Sequence, residues 1–323
     1  MRKTLIALFL LADLVLVAAV LWFIAPRESW PAAADIAPVE PGPDLDGWLA
    51  AREAAVPGIT PDTEKTILWA GTPGQRTPLA LVYLHGFSAT RQEVSPLPED
   101  LSRALGANLF ATRLTGHGLP GEALGAATVT DWAQDIAEAM AVGRRLGERV
   151  VLIGTSTGGS MAVLAALDPA YAGALAGIVL ISPNFAIISG QAWVLDTPFA
   201  ASWVPAVMGQ TRSWEPQNEA HGRFWTTSYP TAALFPMRVV QRAAQDANHA
   251  AATVPALVFY ATGDTVVRSD ATEAVIARWG APIEAHVITD ADDPGQHVIA
   301  GDILSPTSTP GILRVTTDWL GRL

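Results

Sequence analysis

The sequence has no cysteine, only two lysines (Lys3 and Lys65) and only 16% charged residues. Without cysteine there can be no disulfide, no thiolate zinc site, no thiol nucleophile and no acylated cysteine anchor. Its absence leaves the compartment open, because such a chain is equally stable in oxidising and reducing surroundings. Twenty Lys and Arg stand against 31 Asp and Glu, giving a net charge of −11 with no basic cluster. That excludes the positive face on which nucleic-acid binding depends. Global disorder is excluded too, since half of the 323 residues are hydrophobic and can bury a large core. The length suits two ordinary domains or one large α/β domain.

The longest apolar run lies at the N-terminus. Thr4 to Ala25 carries one charge, Asp13, and follows Arg2 and Lys3. As a helix it would be about 33 Å long, against a hydrocarbon core of about 30 Å. The expected reading of residues 1–25 is an uncleaved membrane anchor. Its basic end would stay cytoplasmic and the remainder would be exported, to the periplasmic or extracellular side. Asp13 would be costly there unless paired or protonated. The alternative is a cleaved signal peptide and a secreted protein. The run is longer than such peptides use, yet Ala32-Ala33-Ala34 supplies small residues of the cleavable kind. Residues 26–47 hold five prolines among alanines and acids, which predicts a semi-extended spacer holding the body off the bilayer. The folded domain is expected over 48–323.

From Trp48 onward, short apolar runs alternate with helical patterns, the signature of a mostly parallel α/β sheet flanked by helices. Strands are predicted at Leu79–Leu84, Ala107–Thr112, Arg149–Ile153, Leu175–Ile181, Ala256–Tyr260 and Glu284–Ile288. Helices are predicted at Asp131–Met140, after a cap at Thr130, and at Ser160–Leu167, Arg268–Trp279 and Thr309–Leu320. Between Pro183 and Ala252 this rhythm lapses, although the stretch is rich in Trp and Phe. Seventy or so residues are too many for a plain loop, so an inserted helical cap is expected over about 185–252.

Gly154-Thr155-Ser156-Thr157-Gly158 follows the third of the longer strands and opens a helix. A serine on so sharp a turn projects its Oγ, small residues two positions away let strand and helix pass closely, and the helix N-terminus aims free amides at the reacting centre. Alone the pentapeptide is a weak signal. Context strengthens it: Asp264 follows the strand Ala256–Tyr260, and His297 follows the last strand. Ser…Asp…His is the chain order of the α/β-hydrolase arrangement and differs from that of other serine-hydrolase folds.

With these residues, the chain resembles the α/β-hydrolases of the esterase, monoacylglycerol-lipase and serine-aminopeptidase-like group. The resemblance runs from about Leu79 to Leu320. It is carried by His85-Gly86-Phe87-Ser88, Arg113-Leu-Thr-Gly-His-Gly118, Asp131-Trp132…Asp135, the Ser156 turn, Gly263-Asp264 and His297. It implies an α/β-hydrolase fold and two-step acyl transfer by Ser156, His297 and Asp264. It also implies an oxyanion hole from the backbone amides of Phe87 and Thr157, with His85 propping that turn.

A serine nucleophile points to esters, thioesters or amides. Export, a tether and an aromatic cap lean the substrate towards acyl esters with apolar tails. A serine aminopeptidase or amidase is the runner-up, with Glu215 and Glu219 as candidate holders of a substrate ammonium. A tethered binding protein on a hydrolase fold is the non-enzymatic alternative. Asp290, Asp292 and Asp293 compete with Asp264 as partners of His297. His117, His286, His221 and His249 read as structural, and the last two fit no ligand spacing. Neither a metal nor a cofactor is expected.

Overall fold

A computed structural model describes residues 2–25 and 28–323; in the first helix, the side chains of Arg2, Lys3, Leu5, Ala7 and Ala18 are outside the description. That helix, α1 (Arg2–Ile24), exposes Phe9, Leu10, Leu11, Leu14 and Phe23. Among the described residues, no helix is long and apolar enough to cross a membrane. The expected anchor is therefore not supported: it draws on Leu5, Ala7 and Ala18, whose side chains lie outside the described ones.

The expected spacer is also corrected. Pro26 and Arg27 lie outside the described residues, but the following segment lies on the body. Ile36 is buried, and the Ala33 N–H donates to Asp168 Oδ2 at 2.9 Å. Gln134 Nε2 donates to the Ala37 carbonyl, and Arg145 donates to the carbonyls of Pro41 and Gly42. Proline-rich backbone with free carbonyls is well suited to such donors. The body then begins with α2 (Leu45–Ala54), capped by Asp44, a few residues before the predicted boundary.

Seven strands form the central sheet, in the order β1 (Thr66–Leu68), β3 (Asn108–Ala111), β2 (Thr77–Leu84), β4 (Gly147–Thr155), β5 (Leu175–Ile181), β8 (Ala256–Tyr260) and β9 (Ile283–Val287). Only β1 is antiparallel to its neighbour. The central strands are apolar along Ala80–Leu84, Val150–Ile153 and Leu175–Ile181, where both faces are covered. Ala80, Val82 and Leu84 face one layer with Val150 and Leu152, while Leu81 and Tyr83 face the other with Val151 and Ile153. On the second face lie α3 (Leu97–Leu105) and, at the chain's end, α12 (Thr309–Leu320).

The first face is covered by α5 (Val129–Leu146), which follows the short α4 (Gly121–Ala126), and by α6 (Thr157–Leu167), which precedes the short α7 (Pro169–Ala172). Helix α5 starts earlier than predicted. Its cap is Thr128, in a reciprocal capping box with Asp131, so Thr130 is already inside the helix.

The insertion between β5 and β8 holds α8 (Ala200–Met208), a two-stranded ribbon of β6 (Thr211–Ser213) and β7 (Ser228–Pro230), α9 (Glu219–Phe224) and α10 (Leu234–Asp246). It is smaller as a cap than its sequence span suggests. Met237, Val240 and Ala244 of α10 share the core of Met161 and Ala162, so α10 belongs to the body as the crossover helix before β8. The remaining helix, α11 (Ser269–Ile276), joins β8 to β9.

Candidate active site

The carboxyl ends of β2, β4 and β8 converge on one point, where an open parallel sheet binds its ligands. Strand β4 leads straight into Ser156, whose backbone stands at φ 51, ψ −117. That is a sparsely populated region for a residue with a side chain, at a cost of order 1–3 kcal/mol. Two residues on, a Cβ at Gly158 would lie 2.1 Å from the Leu84 carbonyl oxygen and 2.6 Å from that of His85. Only glycine lets α6 leave the turn this close to β2.

Ser156 Oγ lies 3.0 Å from His297 Nε2, and His297 Nδ1 lies 2.8 Å from Asp264 Oδ2. The sequence-predicted Ser, Asp and His are thus brought together in a single chain of hydrogen bonds. Asp264 is held by its other oxygen, which accepts the amides of Val266 at 2.7 Å and Val267 at 2.9 Å. Burial pulls the His297 pKa down, but the hydrogen bond and charge of Asp264 outweigh it, aided by Glu93 and Asp293, so the net shift is upward.

The competing acids are separated by this geometry. Asp293 contacts His297, but through the backbone: its Oδ2 accepts the amides of His297 and Val298, both at 3.0 Å. Its Oδ1 accepts the Gly295 amide and, from the cap, Gln217 Nε2 at 2.8 Å. Asp293 therefore shapes the loop that carries the histidine. Asp292 instead accepts the amide and the hydroxyl of Thr307, both at 2.8 Å. This role for Asp293 was not legible in the sequence, where three neighbouring acids look alike.

Thr157 follows the serine directly, and Phe87 lines the same cavity as Ser156. Thr157 is the first residue of α6, so its N–H has no acceptor inside the helix. Phe87 sits on a turn fixed from both sides. His85 Nδ1 donates to the Gly86 carbonyl at 2.9 Å, and the Leu114 N–H donates to His85 Nε2 at 3.0 Å. Burial pushes the His85 pKa well below the ordinary histidine range, so the ring is a neutral strut. His117 packs edge-on against it and against Phe87, and burial takes its pKa to about 4.

Arg113, Trp132 and Asp135 also find their purpose here, while Asp131 serves the α5 cap. Asp135 accepts the Thr115 amide at 2.6 Å, and Trp132 Nε1 donates to the Thr115 carbonyl. Arg113 forks onto Glu53 with two contacts of 2.9 Å. Together they fix the 113–118 loop behind the His85 turn. Of the remaining histidines, His286 pairs with Glu284 outside the site, and His249 is buried against the Ala244 carbonyl.

Behind the serine the structure contains residues that sequence reasoning passed over. The Asn184 N–H donates to the Ser156 carbonyl at 3.0 Å, and its own carbonyl accepts from Ser160 Oγ at 2.6 Å. Gln241 Nε2 of α10 donates to Asn184 Oδ1 at 2.7 Å, and Arg238 donates to Gln241 and to Asp196 of the cap. A polar chain, buried at Asn184 and Gln241, thus links the cap to the serine turn. No sequence motif marks it.

A cavity of about 400 Å³ opens on Ser156 and His297. Its walls are mostly apolar, with Phe87 and Val298 beside Ile187, Trp214, Trp225, Tyr229 and Leu234 from the chain between β5 and β8. Glu215 and Glu219 are exposed and outside its lining; the acids that reach it are Glu93 and Asp293. Among the described residues, no group of His, Asp and Glu is arranged to hold a metal ion.

Residues 76–291 match the model of the family described as Serine aminopeptidase, S33. The match includes Ser156 and Asp264 and ends before His297. A comparison with curated proteins gives no match. Among solved structures, one described with the metagenome-derived lipolytic enzymes LipS and LipT is similar over 82% of this chain and 100% of its own, at TM-score 0.68 and 22% identity. The monoacylglycerol lipase of Paleococcus ferrophilus is similar over 80% of this chain and 98% of its own, at TM-score 0.57 and 18% identity. A soluble variant of monoglyceride lipase from Saccharomyces cerevisiae is similar over 80% of this chain and 91% of its own, at TM-score 0.62 and 13% identity. At these identities the likeness establishes the α/β-hydrolase fold, and the family match spans most of the sheet and the serine turn. The chain belongs to the Serine aminopeptidase, S33 family and is a serine hydrolase.

Proposed function

We propose that the protein hydrolyses carboxylic esters with apolar acyl chains through an acyl-enzyme on Ser156. The observation that carries this reading is the hydrogen-bonded series Asp264–His297–Ser156 opening onto a largely apolar cavity. His297 Nε2 takes the Ser156 proton as Oγ attacks the ester carbonyl. The amides of Phe87 and Thr157 receive the oxyanion, and Asp264 steadies the imidazolium. His297 then gives its proton to the leaving alkoxide. A water molecule, deprotonated by His297, attacks the acyl-enzyme and returns Ser156.

An amide substrate with a free ammonium is the second reading, favoured by the family's description. The exposed positions of Glu215 and Glu219 weigh against it. Paired assays with p-nitrophenyl esters of rising chain length and aminoacyl-nitroanilides separate the two. Ser156→Ala should lower kcat on the ester by about 10⁴–10⁶-fold and abolish fluorophosphonate labelling. Near-full activity in that variant would overturn the proposal. The leading residues 1–25 support a further proposal, that the protein is exported and held at a membrane, on their sequence alone. Fractionation of the full chain against one starting at Glu28 tests it, and equal partitioning of the two into the soluble fraction refutes it.

A further inference from the structure

Glu93 is 2% exposed, and the catalytic roles proposed above leave it unused. Its Oε2 accepts the Gly86 amide at 2.7 Å and the Tyr83 hydroxyl at 3.0 Å. No cation pairs with it among the described residues, and Oε1 receives no protein donor there. The carboxylate lines the same cavity as Ser156 and His297. It is also close to the reacting serine: a Cβ built on Gly86 would lie 2.7 Å from Glu93 Oε1 and 3.1 Å from Ser156 Cβ. Glycine at 86 therefore lets the carboxylate and the nucleophile flank one peptide.

The two donors do not explain why this residue is an acid. A glutamine carbonyl would accept the same Gly86 and Tyr83 protons without burying a charge. Burying a carboxylate away from any cation is unfavourable, and here it raises the Glu93 pKa to about 7. A charge held at such cost and this close to the reaction suggests that a cation appears there transiently. The one that forms is the His297 imidazolium.

We propose that Glu93 is an electrostatic positioning residue: its buried carboxylate is the second counter-charge, beside Asp264, for the imidazolium that forms on His297 during acyl transfer. Its value is differential. While the imidazole is neutral Glu93 gains little; when Ser156 gives up its proton, the attraction is switched on beside a buried carboxylate. The oxyanion that forms alongside has two amides and the α6 N-terminus to hold it, whereas Asp264 is the carboxylate in direct contact with the ring. Other charged or titratable groups on this assembly are Asp293, from the histidine's own loop, His221 of α9, which lines the same cavity and faces Asp293, and Tyr83 of β2, with Glu99 of α3 acting on Tyr83.

The inference rests on the roles proposed for Ser156 and His297, and the experiment keeps the two apart. kcat and KM for p-nitrophenyl butyrate are followed from pH 5 to 9 in wild type, Glu93→Gln, Glu93→Asp and Ser156→Ala, with melting curves for each. Glu93→Gln keeps the shape and the acceptor but removes the charge. It should lower kcat at pH 8 by about tenfold with KM changed less than about twofold, while the acid limb of kcat/KM moves down by about half to one pH unit. The variant then loses less activity on acidification than wild type does. Glu93→Asp, which keeps the charge, should keep the limb near its wild-type position even if the shorter side chain slows the plateau. A folded Glu93→Gln with an unmoved limb overturns the inference, as does a raised kcat, which would mean that repulsion of the oxyanion dominates. Loss of activity in step with a lowered melting temperature, at an unmoved limb, assigns Glu93 a merely structural role and overturns it as well. Activity surviving in Ser156→Ala overturns the proposed nucleophile itself, and is seen independently of Glu93.

Discussion

Replacing Asp264 by asparagine tests the site more sharply than removing it. Asp264 divides its work between two oxygens: one accepts the amides of Val266 and Val267, the other faces His297 Nδ1 at 2.8 Å. An asparagine has one acceptor oxygen, and two backbone donors compete with one ring nitrogen for it. The amides win, so the side-chain NH₂ is turned towards Nδ1. That nitrogen must then become the acceptor, and the ring proton moves to Nε2, where it faces Ser156 Oγ. The base is lost without any displacement of the ring. The expected drop in kcat is about 10³–10⁴-fold, equivalent to about 4–5.5 kcal/mol of barrier. Stability should change far less, because the two loop bonds survive and only their charge assistance is lost, about 1–2 kcal/mol. Asp264→Ala inverts the balance, leaving two amides without their acceptor, and should melt lower than Asp264→Asn. Steady-state kinetics on p-nitrophenyl butyrate, with thermal melts of both variants, provide the test. An asparagine variant within tenfold of wild-type kcat would refute the tautomer argument.

The same reasoning yields further expectations. Because Asp264 raises the His297 pKa and the base must be neutral, kcat/KM should fall on acidification with a half-point above the ordinary histidine value of about 6.5; a half-point at or below that value refutes it. Gly158→Ala would drive a methyl into the Leu84 and His85 carbonyl oxygens, neither of which can swing away. Its expected cost is about 1–3 kcal/mol or more, read by denaturant melts. Arg113→Met would strand Glu53 without its fork partner and should cost about 3–5 kcal/mol. Burial tends to raise the Glu53 pKa, but Arg113 and Lys65 outweigh that and lower it. Its contribution is therefore present above the unfolded carboxylate value and lost as pH falls through the folded one. Arg113→Met should accordingly lose less stability than wild type between pH 6 and 3. Gln241→Leu would break the polar chain from the cap to Asn184, with about 2 kcal/mol lost and a melting point lower by about 3 °C.

What could be read from the sequence, and what could not, follows from the range of each interaction. The sheet was legible because its strands are buried on both faces, so Leu175–Ile181 and Ala256–Tyr260 appear as unbroken apolar runs with the observed bounds. Edge strand β1 is three residues long and half-buried, and no such run marks it. The serine turn was legible because its constraint is local: glycine at 158 answers to a carbonyl only a few ångströms away. Asp264 and Asp293 illustrate the limit. Both are buried acids that bind loop amides and touch His297, one through the ring and one through the backbone. Their difference lies in where β8 and the 290–298 loop place them, which depends on contacts more than thirty residues apart. Glu93 and Gln241 are harder still, since each stands among other polar residues, beside Arg91 and Gln92 or between Arg238 and Arg242, and its partners come from other elements. Helix α10 shows the opposite error. Its aromatic-rich neighbourhood reads as cap, yet the stripe of Met237, Val240 and Ala244 seals the sheet. The polar side chains between them, Arg238 and Gln241, reach from that sealed core to Asp196 and to Asn184. One helix therefore forms part of the rigid base of the serine turn and part of the mount for the lid above it. A substitution on its polar stripe should be felt both in the cap and at Ser156.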